Sequence, residues 1–82
     1  MTPSTLSAVV ELGAMTPREV RAILERAGYE VVRQRGSHIR LEAEGRQALT
    51  LALHSKALSP GLVRKILVRD AGLSEDEIER LG

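Results

Sequence analysis

The chain has 82 residues, a formal net charge of +1 and no cysteine, so a single domain is expected, with no disulfide, thiolate nucleophile or Cys-based zinc site. Its 43% hydrophobic and 28% charged residues describe an ordinary globular chain that leaves no room for a cofactor domain or a deep cleft. No unbroken apolar run exceeds three residues, as in Leu51-Ala52-Leu53, far short of a bilayer span. No basic region precedes an apolar run at the N-terminus, so no secretory signal is expected and the cytoplasm is the expected location. Charge is unevenly placed. Residues 15–73 carry eleven Lys/Arg against six Asp/Glu, whereas 74–82 carry Glu75, Asp76, Glu77 and Glu79 against Arg80 alone. A basic body with an acidic tail is a weak pointer to a polyanionic partner.

Residues 1–14 contain no Lys or Arg and open with Thr, Ser and Pro. They read as an N-terminal extension, either frayed or forming a short helix on Leu6, Val9 and Val10, with the domain occupying 15–82. The first firm helix opens at Thr16, a capping residue, with Pro17 at its first position and Glu19 closing a capping box. Val20, Ile23, Leu24 and Ala27 follow at the spacing of one buried face, and Gly28 ends the helix.

Three strands are expected next. Tyr29 to Gln34 is β-branched and mixed, and Arg35-Gly36 is a tight turn. From His38 to Ala43 the chain alternates strictly, with Ile39, Leu41 and Ala43 on one face and His38, Arg40 and Glu42 on the other. After a turn at Glu44-Gly45-Arg46, Leu49, Leu51 and Leu53 alternate with Ala48, Thr50, Ala52 and His54. The short connections imply an antiparallel meander. Ser59 then caps a helix with Pro60 at its first position. Its buried stripe is Val63, Ile66, Leu67 and Ala71, and Gly72 terminates it. Ser74 with Glu77 opens a final helical turn. The expected fold is α+β, in the order α-β-β-β-α, with two helices covering the leucine face of a three-stranded antiparallel sheet and the other face open to water.

The apolar pattern sets a register. If Glu44, Gly45 and Arg46 form the loop, Leu41 faces Leu49, Ile39 faces Leu51 and His38 lies opposite Ala52; a one-residue slip breaks the apolar match. His54 becomes the diagonal neighbour of His38, ~7–8 Å away between backbones. A turn at Arg35-Gly36 pairs Val32 with Ile39 and Arg33 with His38. The open face then collects His38, His54, Arg33 and Arg40. Imidazole titrates near neutrality, so a surface histidine can exchange a proton with a ribose 2′-hydroxyl or a leaving oxygen. Guanidinium groups beside it can hold a phosphate. RNA brings its own nucleophile, so its cleavage requires neither a metal nor a covalent residue.

Plainer readings compete with each of these. A histidine on a solvated strand face is most often surface, His54 can simply end its strand, and the arginines can be a solubilising face. Two histidines without Cys or a matching carboxylate pair make a poor metal site. Ser37 and Ser55 each lie near a histidine, but no carboxylate is placed to orient a triad.

The run Met15-Thr16-Pro17, Leu24, Ala27-Gly28-Tyr29, then Arg35-Gly36-Ser37-His38, His54-Ser55-Lys56-Ala57-Leu58, Ile66-Leu67 and Ala71-Gly72-Leu73 resembles the HicA (YcfA-like) toxin family over residues 15 to about 81. The resemblance implies a double-stranded-RNA-binding-domain-like fold and a toxin that cleaves mRNA and arrests growth, partnered by a HicB-type antitoxin. It places the catalytic histidine on His38, with Gly36 and Ser37 shaping the turn that presents it. RNA contacts are then expected from Arg33, Arg40, Ser37, Lys56 and His54, and no cofactor or metal is implied. Three features depart from the family pattern: the extension before Met15, Val68 as one residue more than the usual spacing between Ile66-Leu67 and Ala71-Gly72-Leu73, and Leu41 where an aromatic residue is frequent. Tyr29 is the only aromatic side chain, so base stacking cannot dominate affinity, and phosphate contacts imply low sequence specificity. A non-catalytic RNA- or DNA-binding module of the same fold is the alternative, and a toxin-like protein serving only as a partner is a third.

Overall fold

A capping box opens the first helix: the Thr16 hydroxyl accepts from the Glu19 N–H at 3.2 Å and the Glu19 carboxylate accepts from the Thr16 N–H at 2.8 Å. The helix, α1, runs Pro17–Arg26 and buries Val20, Ile23 and Leu24. It ends in a Schellman motif, with the Gly28 N–H donating to the Glu25 carbonyl and the Tyr29 N–H to that of Leu24. Gly28 sits there at φ +106°, a conformation that a side chain disfavours. The computed structural model describes residues 13–53 and 56–82. The expected N-terminal segment up to residue 12, and His54 with Ser55, lie outside the described residues.

Strands β1 (Glu30–Arg35), β2 (His38–Glu42) and β3 (Leu49–Ala52) form one antiparallel sheet in the order β1-β2-β3. Between β2 and β3 the register is the expected one: Leu41 faces Leu49, Ile39 faces Leu51 and His38 faces Ala52. Ile39, Leu41, Leu49 and Leu51 are buried, while His38, Arg40, Glu42 and Thr50 are exposed, so one face meets the core and the other meets water.

The first hairpin corrects the sequence reading. Arg35 pairs with His38, Gln34 with Ile39 and Arg33 with Arg40, so the two-residue turn is Gly36-Ser37, not Arg35-Gly36. A turn at Arg35-Gly36 would pair Arg33 with His38 and Val32 with Ile39, and neither pair forms. Backbone geometry explains the shift. The primed turns that suit a hairpin need positive φ at their first central residue. Gly36 supplies it at φ +61°, and no non-glycine residue adopts positive φ among the described residues. Arg35 would have been forced into that conformation. Moving the turn by one residue moves each β1 partner by two, from His38 to Arg40 for Arg33, and a bulge between Val31 and Arg33 takes back one of the two, which leaves Val32 half exposed while Val31 faces Leu41 on the core side.

Beyond β3 the chain returns to α1, where Met15 and Leu58 exchange a pair of backbone hydrogen bonds. Ser59 caps helix α2, Pro60–Arg64, with its hydroxyl accepting from the Leu62 N–H. The helix does not stay regular as far as Gly72: Lys65–Asp70 is wound as a π-helix, and the Ala71 N–H donates five residues back to Ile66. The final element is larger than one turn. Helix α3 spans Glu75–Leu81 behind the expected Ser74–Glu77 capping box. The core joins Val20, Ile23 and Leu24 with Tyr29, the four strand residues, Val63, Ile66, Leu67, Ala71, Leu73 and Ile78, and contains no buried polar or charged side chain among the described residues.

Two side chains clamp the second hairpin. The Tyr29 hydroxyl donates to the Gln47 carbonyl at 2.7 Å. Arg46 donates to the Ala71 carbonyl at 2.8 Å and lies 3.9 Å from the Glu77 carboxylate. The turn holding Arg46 is therefore tied to the end of the π-helix and to α3.

Candidate nucleic-acid interface on the open sheet face

The open face is organised in rungs, because paired residues on neighbouring strands share a face. The rung nearest the Gly36-Ser37 turn is Arg35, His38 and Ala52; the next is Arg33, Arg40 and Thr50; the last on β1 and β2 is Glu30 with Glu42. Directly opposed side chains stand ~4.5–5.5 Å apart at Cβ, so Arg35 is the immediate cross-strand neighbour of His38, and Arg33 is its diagonal one. His38, Arg33, Arg35 and Arg40 are all exposed.

His38 is held by short-range geometry. It is the first residue of β2, directly after the turn, and the Ser37 carbonyl accepts from the Leu53 N–H at 2.7 Å. That bond fastens the turn to the end of β3, so the strand start carrying His38 is braced on both sides. Ser37 thus serves through its backbone carbonyl. Arg40 is engaged along its own strand, its Nε donating to Glu42 Oε2 at 3.1 Å.

Of the residues expected in the site, the structure brings together His38, Arg40 and Arg33, with Gly36 and Ser37 forming the turn. Lys56 is exposed in the segment before α2, and His54 is outside the described residues. Arg35 is the residue that the sequence reading missed. The sequence places it in the turn, and only the positive φ required of the first central turn residue, which favours Gly36 there, distinguishes the two.

A hollow of about 450 Å³ lies at the other end of the sheet and is lined by Gly28, Glu30, Val32, Glu42, Ala43 and Glu44. Its three carboxylates make it a poor seat for a phosphate. Among the described residues, no group of three or more His, Asp or Glu side chains is placed to hold a metal ion, and no helix is long and apolar enough to cross a membrane.

Residues 17–73, from the first residue of α1 to just past the π-helix, match the family model of the HicA toxin of bacterial toxin–antitoxin systems. The chain belongs to the HicA toxin family. No curated protein is a significant match to the chain. HicA membership gives the chain a toxin's role and implies a cognate antitoxin as its partner. The match includes every residue of the basic rungs described above.

Proposed function

We propose that this HicA-family chain is an endoribonuclease that cleaves mRNA without a metal, using His38 as its acid–base group, and that its cognate antitoxin is of the HicB type. The observation that carries the reading is the Arg35–His38 rung. An exposed imidazole lies directly across from an exposed guanidinium, with Arg33 and Arg40 on the next rung.

In the proposed reaction, the ribose 2′-oxygen attacks the adjacent phosphorus while the bond from phosphorus to the 5′-oxygen breaks. His38 accepts the proton of the 2′-hydroxyl, and solvent water protonates the departing 5′-oxygen. The product strand ends in a 2′,3′-cyclic phosphate. Guanidinium groups bind the phosphate and offset the negative charge that builds on its oxygens. Arg35 is the nearest such group by pairing, and Arg33 and Arg40 hold the neighbouring backbone. Lys56 extends the positive surface. Binding through phosphates, with no aromatic stacking platform, implies low sequence preference.

His38→Ala is expected to reduce cleavage by ~10²–10⁴-fold, the usual contribution of a positioned acid–base group. Thermal unfolding should be unchanged, since the residue is exposed on the open face. Cleavage should persist in excess EDTA and give cyclic-phosphate ends. Wild-type rates in His38→Ala would remove the proposed site, and strict dependence on a divalent ion would remove the mechanism.

A second reading, a non-catalytic nucleic-acid-binding module, is favoured by the exposure of His38 on the open sheet face. It predicts RNA binding by the wild type with no cleavage at any enzyme concentration.

A further inference from the structure

The open face segregates its charges in a way that opposes sheet stability. Arg33 stands opposite Arg40, and Glu30 stands opposite Glu42, although like charges directly across a strand pair are destabilising. Had β1 carried its glutamate at 33 and an arginine at 30, both rungs would be ion pairs. Instead, the basic residues gather toward the Gly36-Ser37 turn and the carboxylates toward the opposite end, where Glu44 joins Glu30 and Glu42 around the hollow beside Val32. The boundary falls between Arg40 and Glu42, two residues or ~7 Å apart along β2, where the two side chains contact each other.

We infer that Glu30 and Glu42 form an electrostatic fence that sets the path and length of the RNA on this face. A strand running along β2 from His38 would meet Arg40 and then a carboxylate pair, so its next phosphate would be repelled. A strand crossing the sheet over the Arg35–His38–Ala52 and Arg33–Arg40–Thr50 rungs meets guanidinium groups, the His38 imidazole and small side chains, and no carboxylate. The RNA therefore crosses β1, β2 and β3 at the turn end, and only a few consecutive phosphates are held. Glu42 has a second effect: by accepting from Arg40, it competes with phosphate for that guanidinium. Both effects limit affinity for a polyanion and confine the substrate to a short single-stranded stretch. This inference rests on the proposed RNA reading of the same face.

The test is a fluorescence titration of the full chain with uncleavable 2′-O-methyl oligonucleotides of two to ten nucleotides, each over a salt series. Wild-type affinity should stop rising after the first few nucleotides. A single strand gives a salt slope of ~0.7 per phosphate contact. Glu30→Gln, which does not touch the Arg40–Glu42 pair, should let affinity keep rising with length and steepen the slope by ~0.7 for one added contact. That is an additional loss of about 2.6-fold between 50 and 200 mM salt. Glu42→Gln should do the same and also strengthen binding of the shortest oligonucleotides by releasing Arg40. Neither variant should unfold more readily than wild type, since each relieves a like-charge pair.

Arg35→Ala separates the two layers of the argument. If Arg35→Ala weakens binding while both glutamine variants match wild type in slope and length dependence, the fence is wrong and the RNA face stands. If Arg35→Ala also leaves binding unchanged, the RNA lies elsewhere and the proposed function of this face fails with it.

Discussion

The position of Arg35 opposite His38 separates two otherwise similar models of the site. With a turn at Gly36-Ser37, Arg35 is the direct cross-strand neighbour of His38 and Arg33 is one rung away. A guanidinium that binds the scissile phosphate through a charge-assisted hydrogen bond contributes ~1.5–3 kcal/mol. Its removal should therefore lower kcat/KM by about 10- to 150-fold, at ~1.4 kcal/mol per tenfold. Arg33 is diagonal, ~7–8 Å away at the backbone. A unit charge at ~7 Å in a water-like medium interacts by ~0.6 kcal/mol, about threefold in rate. Arg35→Ala should thus be at least several times more damaging than Arg33→Ala, with Arg35→Lys in between, because lysine keeps the charge without the fork. The assay is single-turnover cleavage of a short fluorogenic RNA with enzyme in excess, with thermal unfolding to confirm that each variant is folded. A loss in Arg33→Ala equal to or greater than that in Arg35→Ala would refute the pairing as the basis of the site.

Two stability predictions follow from the clamps on the second hairpin. Tyr29→Phe removes the hydroxyl bonded to the Gln47 carbonyl and should cost ~1 kcal/mol, or roughly 4–8 °C in Tm for a domain of this size. Burial raises the Tyr29 hydroxyl above its ordinary value of 10.0, with Arg46 acting in the opposite direction. The stabilisation of its neutral form is then present below pH 10 and lost as pH rises through the raised value, so Tyr29→Phe should blunt the alkaline fall in Tm. Glu77 is shifted the other way: the Ser74 backbone N–H that it accepts from is the main cause of its lowered value. Its contribution is present above about pH 4.5 and lost as pH falls through the lowered value. Glu77→Gln should flatten the acid limb of a Tm–pH curve, and an unaltered limb would show that the capping box does not contribute.

Legibility in the sequence tracked how strongly each segment constrains itself. β2 and β3 alternate strictly, so slipping one against the other by a single residue would turn two large apolar side chains to water, and the register of Ile39 and Leu41 against Leu51 and Leu49 is legible from the pattern. β1 offers no such constraint. Val31 and Val32 are adjacent, and Arg33-Gln34-Arg35 is polar on both faces, so its register rests on the turn alone. There, one residue of uncertainty exchanged Arg33 for Arg35 beside the histidine. The bulge at Val32 was not legible either: without it Val32 would face the core opposite Leu41, and two adjacent valines give no alternation that says which of them turns inward. The capping boxes at Thr16 and Ser74 were readable because they are local side-chain chemistry. The role of Arg46 was not: its partners Ala71 and Glu77 are 25 and 31 residues away in the chain.

The π-helix over Lys65–Asp70 follows from the same competition between stripe and ladder. Val68 is one residue more than the spacing the family resemblance implies between Ile66-Leu67 and Ala71-Gly72-Leu73. An extra residue in a regular α-helix advances everything after it by about 100° around the axis, as 3.6 residues make a turn. Applied here, that rotation moves Ala71 from the middle of the stripe of Val63, Ile66 and Leu67 to its edge, and turns the exit of the chain toward Leu73 by the same angle. Widening a single turn absorbs the rotation instead. The Ala71 N–H reaches back five residues to Ile66, and Lys65 and Asp70, five apart, come within 3.1 Å as a wider turn allows. Ile66, Leu67, Ala71 and Leu73 all remain buried. Burying one leucine is worth ~1.5–3 kcal/mol, whereas a π turn keeps its hydrogen bonds and loses only their best geometry. Burial wins, and the irregularity is confined to hydrogen bonds inside the helix. Gly72 and Leu73 keep the places from which Ala71 can accept the Arg46 hydrogen bond, so the hairpin behind the open face stays anchored despite the added residue.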